Sequence, residues 1–370
     1  MISSAIIPEP LARLPWRLIW LVALICTIGV VTLYSAAGGS MSPWALKQAI
    51  IIAGFAGLAV GISYLPENFI KQMTFPTYVV ILILLIIVEM VGYVGKGAQR
   101  WVDLGFIRLQ PSEFMKPCIA LTLARFYDLL PAADVRRWRG LWPAGLLVGI
   151  PWALVLVQPD LGTATMILVS GVSVMFLAGL PMWYFLSAGA ALAAAMPVVY
   201  AMMHDYQRKR VLIFLDPESD PLGSGYHISQ SKIAIGSGGI WGKGYLNGSQ
   251  SHLDYLPEGH TDFVFAAFVE EWGMVGGALL IIAFSLVVLW GMRVAMRART
   301  RFGQLSAAGL TMTIFFYCTV NLMMVMGLAP VVGIPLPLVS AGGSAVMTVM
   351  ICLGLLVGIE RQSRTRSGLR

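Results

Sequence analysis

Long apolar runs alternate with short polar breaks along this chain. Ten runs stand out: 17–38, 45–65, 74–94, 111–130, 141–158, 162–180, 183–203, 273–295, 305–328 and 343–360. About 20 apolar residues in helical form cross the core of a bilayer. Inside lipid the backbone can be satisfied only in helices or closed barrels, and unbroken runs of this length predict helices. The expected fold class is therefore an all-α polytopic membrane protein of about ten transmembrane helices. A large extracytoplasmic loop, 204–272, separates helices 7 and 8. Residues 1–370 are expected to form a single membrane domain with that loop inside it.

Composition agrees with the pattern. Hydrophobic residues make up 58% of the chain and charged ones 12%, which argues against a soluble globular domain. The first run ends near Ser35-Ala36-Ala37, which resembles a signal-peptidase site, but it is longer than a signal core and predicts a retained helix. Cys26, Cys118, Cys318 and Cys352 lie in or beside apolar runs with no metal-type spacing and read as small core residues.

The basic residues predict orientation. Arg13 and Arg17 precede the first run and Lys71 lies between the second and third. Arg136, Arg137 and Arg139 follow the fourth; Arg293, Arg297, Arg299 and Arg301 follow the eighth; Arg361, Arg364, Arg366 and Arg370 close the chain. With ten spans all of them fall on one side, which the positive-inside rule makes cytoplasmic. The net charge of +7 is mostly a topology signal, and nucleic acid is not an expected partner. Both termini are then cytoplasmic, and loops 95–110, 204–272 and 329–342 face outward.

Outward-facing charges serve no orientation purpose. Lys96, Arg100 and Arg108 lie in one such loop, and Arg208, Lys209, Arg210, Lys232 and Lys243 in another. They read either as solvated or headgroup-contacting surface, or as a site for an anion such as phosphate. His204, His227, His252 and His260 share the long loop at spacings that match no standard zinc pattern. Within that loop SQSKIAIG is helix-like. The tract GSGGIWGKG lacks the Walker spacing and reads either as glycine for tight folding or as a backbone nest for some other anion.

Ionisable groups inside apolar spans are costly and point to function. Glu113 and Lys116 stand at i and i+3 on the fourth helix, able to pair on one face. Asp160, in QPDLGT between two spans, reads as a turn or N-cap carboxylate or as a substrate-side group. The stretch LPEGHTDFVFAAFVEEWG, 256–273, reads as a short outer-face helix feeding the eighth span, with Asp262 in its first turn. Asp262 is either an ordinary acid favoured by the helix dipole or a general base at the membrane surface. Glu270 and Glu271 follow two turns later.

Several stretches resemble the SEDS family (shape, elongation, division and sporulation), most closely its elongation branch. They are GAQRWVDLG at 97–105, QPSEFMK at 110–116, QPDLGT at 158–163, RVLIFLDP at 210–217, AIGSGGIWGKG at 234–244, LPEGHTDFVFA at 256–266 and GIPLPLVSAGGS at 333–344. They occur in family order and spacing over nearly the whole chain. The resemblance implies a multi-pass protein of the bacterial cytoplasmic (inner) membrane that polymerises lipid II, with its site facing the periplasm. In that chemistry an acceptor sugar hydroxyl displaces undecaprenyl pyrophosphate from the donor with inversion, making a β-1,4 bond.

Carried over position by position, the resemblance makes Asp262 the base. Lys116 would contact pyrophosphate, and Glu113 would orient it or help to hold a metal. Arg100 and Arg210 become phosphate contacts, and His260 shapes the hydrogen bonds of the base. A divalent cation, Mg2+ or Mn2+, suits a pyrophosphate leaving group, with no ligand set legible; no organic cofactor is expected. The family works with a class B penicillin-binding protein transpeptidase and other rod-complex (elongasome) proteins. Gly259 and Ala341 depart from the family, which often has a basic residue and a tyrosine there. The alternatives are a lipid II flippase or transporter, a division-type member of the family, and a scaffold that docks a partner.

Overall fold

The computed structural model describes residues 14–365 apart from 92, 96–97, 104–107, 203–207, 209–211, 214–215, 217–219, 221–222, 254 and 257. The long helices in chain order are α1 (Trp16–Ala36), α2 (Ala45–Ser63), α3 (Glu67–Val91), α4 (Pro111–Leu129), α5 (Trp138–Val157), α6 (Leu161–Leu177) and α7 (Met182–Met202). After them come α8 (Ser224–Gly238), the single turn α9 (Ser249–His252), α10 (Val264–Arg297), α11 (Arg301–Val325) and α12 (Gly343–Thr365). A small antiparallel sheet, β1 (Tyr93–Gly95), β2 (Ala98–Asp103) and β3 (Arg108–Leu109), is added in the loop between α3 and α4.

Among the described residues 7 helices are long and apolar enough to cross a membrane by length and composition, and α6 and most of α7 are shorter apolar helices. The helix α4, which the sequence reads as the fourth span, is less apolar, and most of its residues are buried within the bundle. It packs against α3, α5, α6, α11 and α12, and its polar residues point into that packing. Lipid-facing surfaces are apolar, as on α3, where Val79, Val80, Ile83, Ile86, Ile87 and Met90 are exposed. Two apolar cores, one around α1, α2 and α10–α12 and one around α3–α6, share Ile70 and Leu121 at their boundary.

The two ends of the bundle differ in chemistry. At one end Glu67 accepts from Thr300 and pairs with Lys71 at 2.9 Å, while Asp128 pairs with Arg125 at 2.8 Å. Arg361 donates to the carbonyl of Ser63 and Arg301 to that of Leu130. The predicted basic breaks therefore meet at one end. Helix caps follow local sequence: Pro111 opens α4, and the Thr300 hydroxyl accepts from Gly303 N–H at 3.0 Å to cap α11.

The stretch 256–273 folds much as its pattern suggests, with one difference. Gly273, at φ 68°, breaks α10 into a short helix and a long span. Asp262 lies in the turn before the short helix, not in its first turn, because Phe263 is the N-cap residue.

Candidate active site around Asp262

Three consecutive carbonyls fix the turn that carries Asp262. His260 O accepts from Ala341 N–H at 2.9 Å and Thr261 O from the Ser340 hydroxyl at 2.6 Å. Asp262 O accepts from Asn321 Nδ2 at 2.8 Å. Ser340 also accepts from Leu336 N–H at 2.8 Å, and its carbonyl is held by Gln48 of α2 at 2.9 Å. The GIPLPLVSAGGS segment is thus a brace for the Asp262 turn. Its Gly333 adopts φ 70°, a conformation that favours glycine, and its Cα faces Asp262, a Cβ there standing 3.6 Å from Oδ2. Asp262 itself is half-buried. The His260 ring stacks on Trp44 with centroids 4.1 Å apart, which holds it beside the turn.

On α4 the predicted pair forms: Lys116 Nζ lies 2.7 Å from Glu113 Oε1. Lys116 is 1% exposed and Glu113 6%. Tyr317 of α11, with no signal in the sequence beyond a lone phenol in an apolar run, completes the group. Its hydroxyl accepts from Lys116 Nζ at 2.7 Å and donates to Glu113 Oε2. The ammonium also lies 4.4 Å from the centroid of the Tyr317 ring. Thr348 of α12 donates to Glu113 at 3.4 Å. A buried ion pair needs partners for its remaining donors and acceptors, and these two hydroxyls supply part of that need.

Tyr317 and Asn321 stand one helical turn apart on the same stripe of α11, about 6 Å along its axis. Tyr317 touches the Glu113–Lys116 pair and Asn321 touches the Asp262 turn. One helix stripe therefore brings the half-buried carboxylate and the buried ammonium into one region, although they are far apart in sequence.

The other predicted residues divide. Asp160 is buried; Oδ1 accepts from Thr163 N–H at 3.1 Å as the N-cap of α6, and Oδ2 accepts from Gln110 at 3.1 Å. The structure gives it the cap role. Arg210 and the side chain of Arg100 lie outside the described residues, as do Lys96 and Lys209. Arg208 closes the end of α7 by donating to the carbonyls of Tyr200 and Ala201.

Lys243 pairs with Glu270 at 2.6 Å, and Glu270 Oε1 also accepts from Gln250 N–H at 2.9 Å. Glu271 accepts from the Ser35 hydroxyl, and His252 meets the Ser35 carbonyl at 2.8 Å. These groups pin the glycine tract and α9 onto the kink of α10. At the two family departures, a Cβ on Gly259 would press on Leu256 O at 3.2 Å, and Ala341 serves the site through its backbone.

For a metal, the donor set does not fit a resident site. Among the described residues no group of three or more His, Cys, Asp or Glu is placed to hold an ion, and both Glu113 oxygens are already engaged. What the site offers is a carboxylate on a braced turn and a buried cation, both tied to the same stripe of α11.

Comparison with known proteins gives concordant results. The family model FTSW_RODA_SPOVE, described as "Cell cycle protein", matches residues 16–365. The chain is 43% identical over 355 residues to the peptidoglycan glycosyltransferase MrdB of Escherichia coli K12, covering 95% of each. It is similar to a solved chain from a study of structural coordination of polymerization and crosslinking by a peptidoglycan synthase complex. That match has TM-score 0.81 and 33% identity, over 95% of this chain and 98% of that one. The crystal structure of the Thermus thermophilus rod shape determining protein RodA matches at TM-score 0.71 and 28% identity, over 94% of this chain and 97% of the other.

Proposed function

Since the chain belongs to the SEDS family of FtsW, RodA and SpoVE, and is a peptidoglycan glycosyltransferase of its elongation branch, we propose that Asp262 is its general base. The substrate is lipid II, as donor and acceptor. The acceptor's N-acetylglucosamine 4-hydroxyl attacks C1 of the donor's N-acetylmuramic acid while Asp262 takes the hydroxyl proton. The bond from C1 to the pyrophosphate oxygen breaks, the configuration at C1 inverts, and undecaprenyl pyrophosphate leaves. Lys116 stabilises the charge that develops on the leaving group, with Glu113 and Tyr317 fixing its position.

The observation that carries this reading is the shared stripe of α11, with Asn321 on the Asp262 turn and Tyr317 on the Glu113–Lys116 pair. Two of the three N–H bonds of Lys116 go to Glu113 and Tyr317. At 1% exposure Lys116 reaches a phosphate oxygen only after the packing around it opens. His260, held by Trp44, shapes the approach to the base. Arg100 and Arg210 are assigned to the phosphates through the family resemblance alone. A divalent cation would arrive with the pyrophosphate, where it would neutralise phosphate charge.

The protein lies in the membrane, and we assign the basic end of the bundle to the cytoplasm by the positive-inside rule. Both termini are then cytoplasmic and Asp262 faces the periplasm. It works with a class B penicillin-binding protein transpeptidase and other rod-complex proteins. The test is polymerisation of lipid II by the purified protein with that partner. The native chain makes glycan strands; Asp262→Ala makes none and still binds lipid II. Normal polymerisation by Asp262→Ala would overturn the assignment of the base.

A further inference from the structure

We propose that Asn321 is a positioning residue for Asp262, acting through the backbone of the turn and through the brace opposite it. The inference rests on the reading of Asp262 as base.

Asn321 is fully buried in α11, where an apolar side chain would pack without any unmet polar group. Instead its amide reaches two separate segments. Nδ2 donates to Asp262 O at 2.8 Å and to Ile334 O at 2.7 Å. Two carbonyls facing one group require two donors, so the orientation of the amide is settled by its partners. Its Oδ1 is buried and meets no donor among the described residues.

The second partner gives the arrangement its meaning. Ile334 follows Gly333, whose backbone faces Asp262 Oδ2. Asn321 thus holds both sides of the carboxylate at once, the turn that bears it and the loop that faces it. The neighbouring carbonyls of the turn are taken by Ser340 and by the backbone of Ala341, which belong to the same loop. Asn321 is the contact that ties turn and loop together to the rigid helix carrying Tyr317. It sets where the base stands relative to Lys116.

Neutral, two-donor chemistry at this position predicts an order that packing alone does not. Asn321→Ser keeps one donor, Asn321→Ala keeps none but leaves room for a water, and Asn321→Leu fills a similar volume while turning methyl groups toward the two carbonyls. Polymerisation of lipid II by the full chain with its transpeptidase partner is expected to fall in kcat in that order. The decline should reach about 100-fold at Asn321→Leu, the scale of a displacement near 1 Å at a reacting group. KM should stay within about threefold, with rates compared at a temperature where every variant remains folded, since the transition state and not lipid binding is affected.

Three results would decide against the proposal. They are Asn321→Ala slower than Asn321→Leu, all three variants within about twofold of native kcat, or KM rising in step with the loss of kcat. If Asn321→Leu does not accumulate, the Ser and Ala variants carry the same comparison, Ser above Ala. Asp262→Ala, run in parallel, separates the two readings. Activity there removes the base and this inference together, whereas inactivity there beside native-like Asn321 variants removes this inference alone.

Discussion

Among the described residues, two lysine–carboxylate pairs have a buried acid, and they are nearly the same length: Glu113–Lys116 at 2.7 Å and Glu270–Lys243 at 2.6 Å. Distance and burial of the acid do not tell them apart. Their neighbours do. Glu270 accepts from a loop, through Gln250 N–H, Ser249 and Ser251, and its lysine is a quarter exposed, so the pair clasps 243–251 to α10. Glu113 and Lys116 instead meet hydroxyls from two spanning helices, and one of those helices also grips the Asp262 turn. A charge pair gains a chemical role from what it is coupled to, and only the α4 pair is coupled to a candidate base.

The sharpest way to break that contrast is to replace each pair by neutral groups of similar size. Such replacement of a buried pair is often neutral for stability, whereas removing one partner is not. Glu113→Gln with Lys116→Met is expected to keep a near-native Tm and lose at least about 100-fold in lipid II polymerisation, the scale of removing one transition-state donor. Glu270→Gln with Lys243→Met is expected to keep both. Equal activity losses in the two double variants, measured on the same lipid II preparation, would erase the distinction.

A smaller effect separates the pairs by stability. Glu270→Ala leaves Gln250 N–H and the Ser249 hydroxyl without their acceptor and Lys243 without its partner. Lys243 can turn toward water, so the loss is expected to be about 2 kcal/mol. Thermal unfolding should report it, with strand synthesis persisting below the new midpoint. Loss of synthesis at temperatures where the variant remains folded would make the clasp part of the chemistry.

The sequence carried the architecture well because lipid imposes a simple rule on each span. The run at 111–130 matches α4 and that at 183–203 matches α7 to within a residue or so. The third run, 74–94, missed the start of α3, because Glu67 and Lys71 pair at a polar helix end that hydropathy reads as loop. The sheet at 93–109 was read as loop, since its strands are short and its pairing is set by neighbours.

At the site, Glu113 and Lys116 were legible because their partnership is local, three residues apart on one helix. Tyr317, Asn321, Gln48 and Thr348 were not, because their partners, Ile334 of Asn321 apart, lie between 59 and 294 residues away. The available signal was weak but physical: a phenol and an amide at i and i+4 inside an otherwise apolar run, where polar groups must find something to bond.

Asp160 gives the smallest and most discriminating effect, because the sequence allowed it two roles and the geometry favours one. Its oxygens serve Thr163 N–H and Gln110, the work of an N-cap, and it lies at the same end of the bundle as the site. Asp160→Ala is expected to lower stability by about 1 kcal/mol, the usual loss for a cap, and to leave KM for lipid II within about threefold of native. A substrate-side carboxylate behaves in the opposite way, with KM shifting by tenfold or more while the Tm holds. Titrating lipid II against the variant and unfolding the same preparation therefore assigns the residue to one side of the comparison, to a structural role of the kind Glu270 has or to the machinery around Asp262.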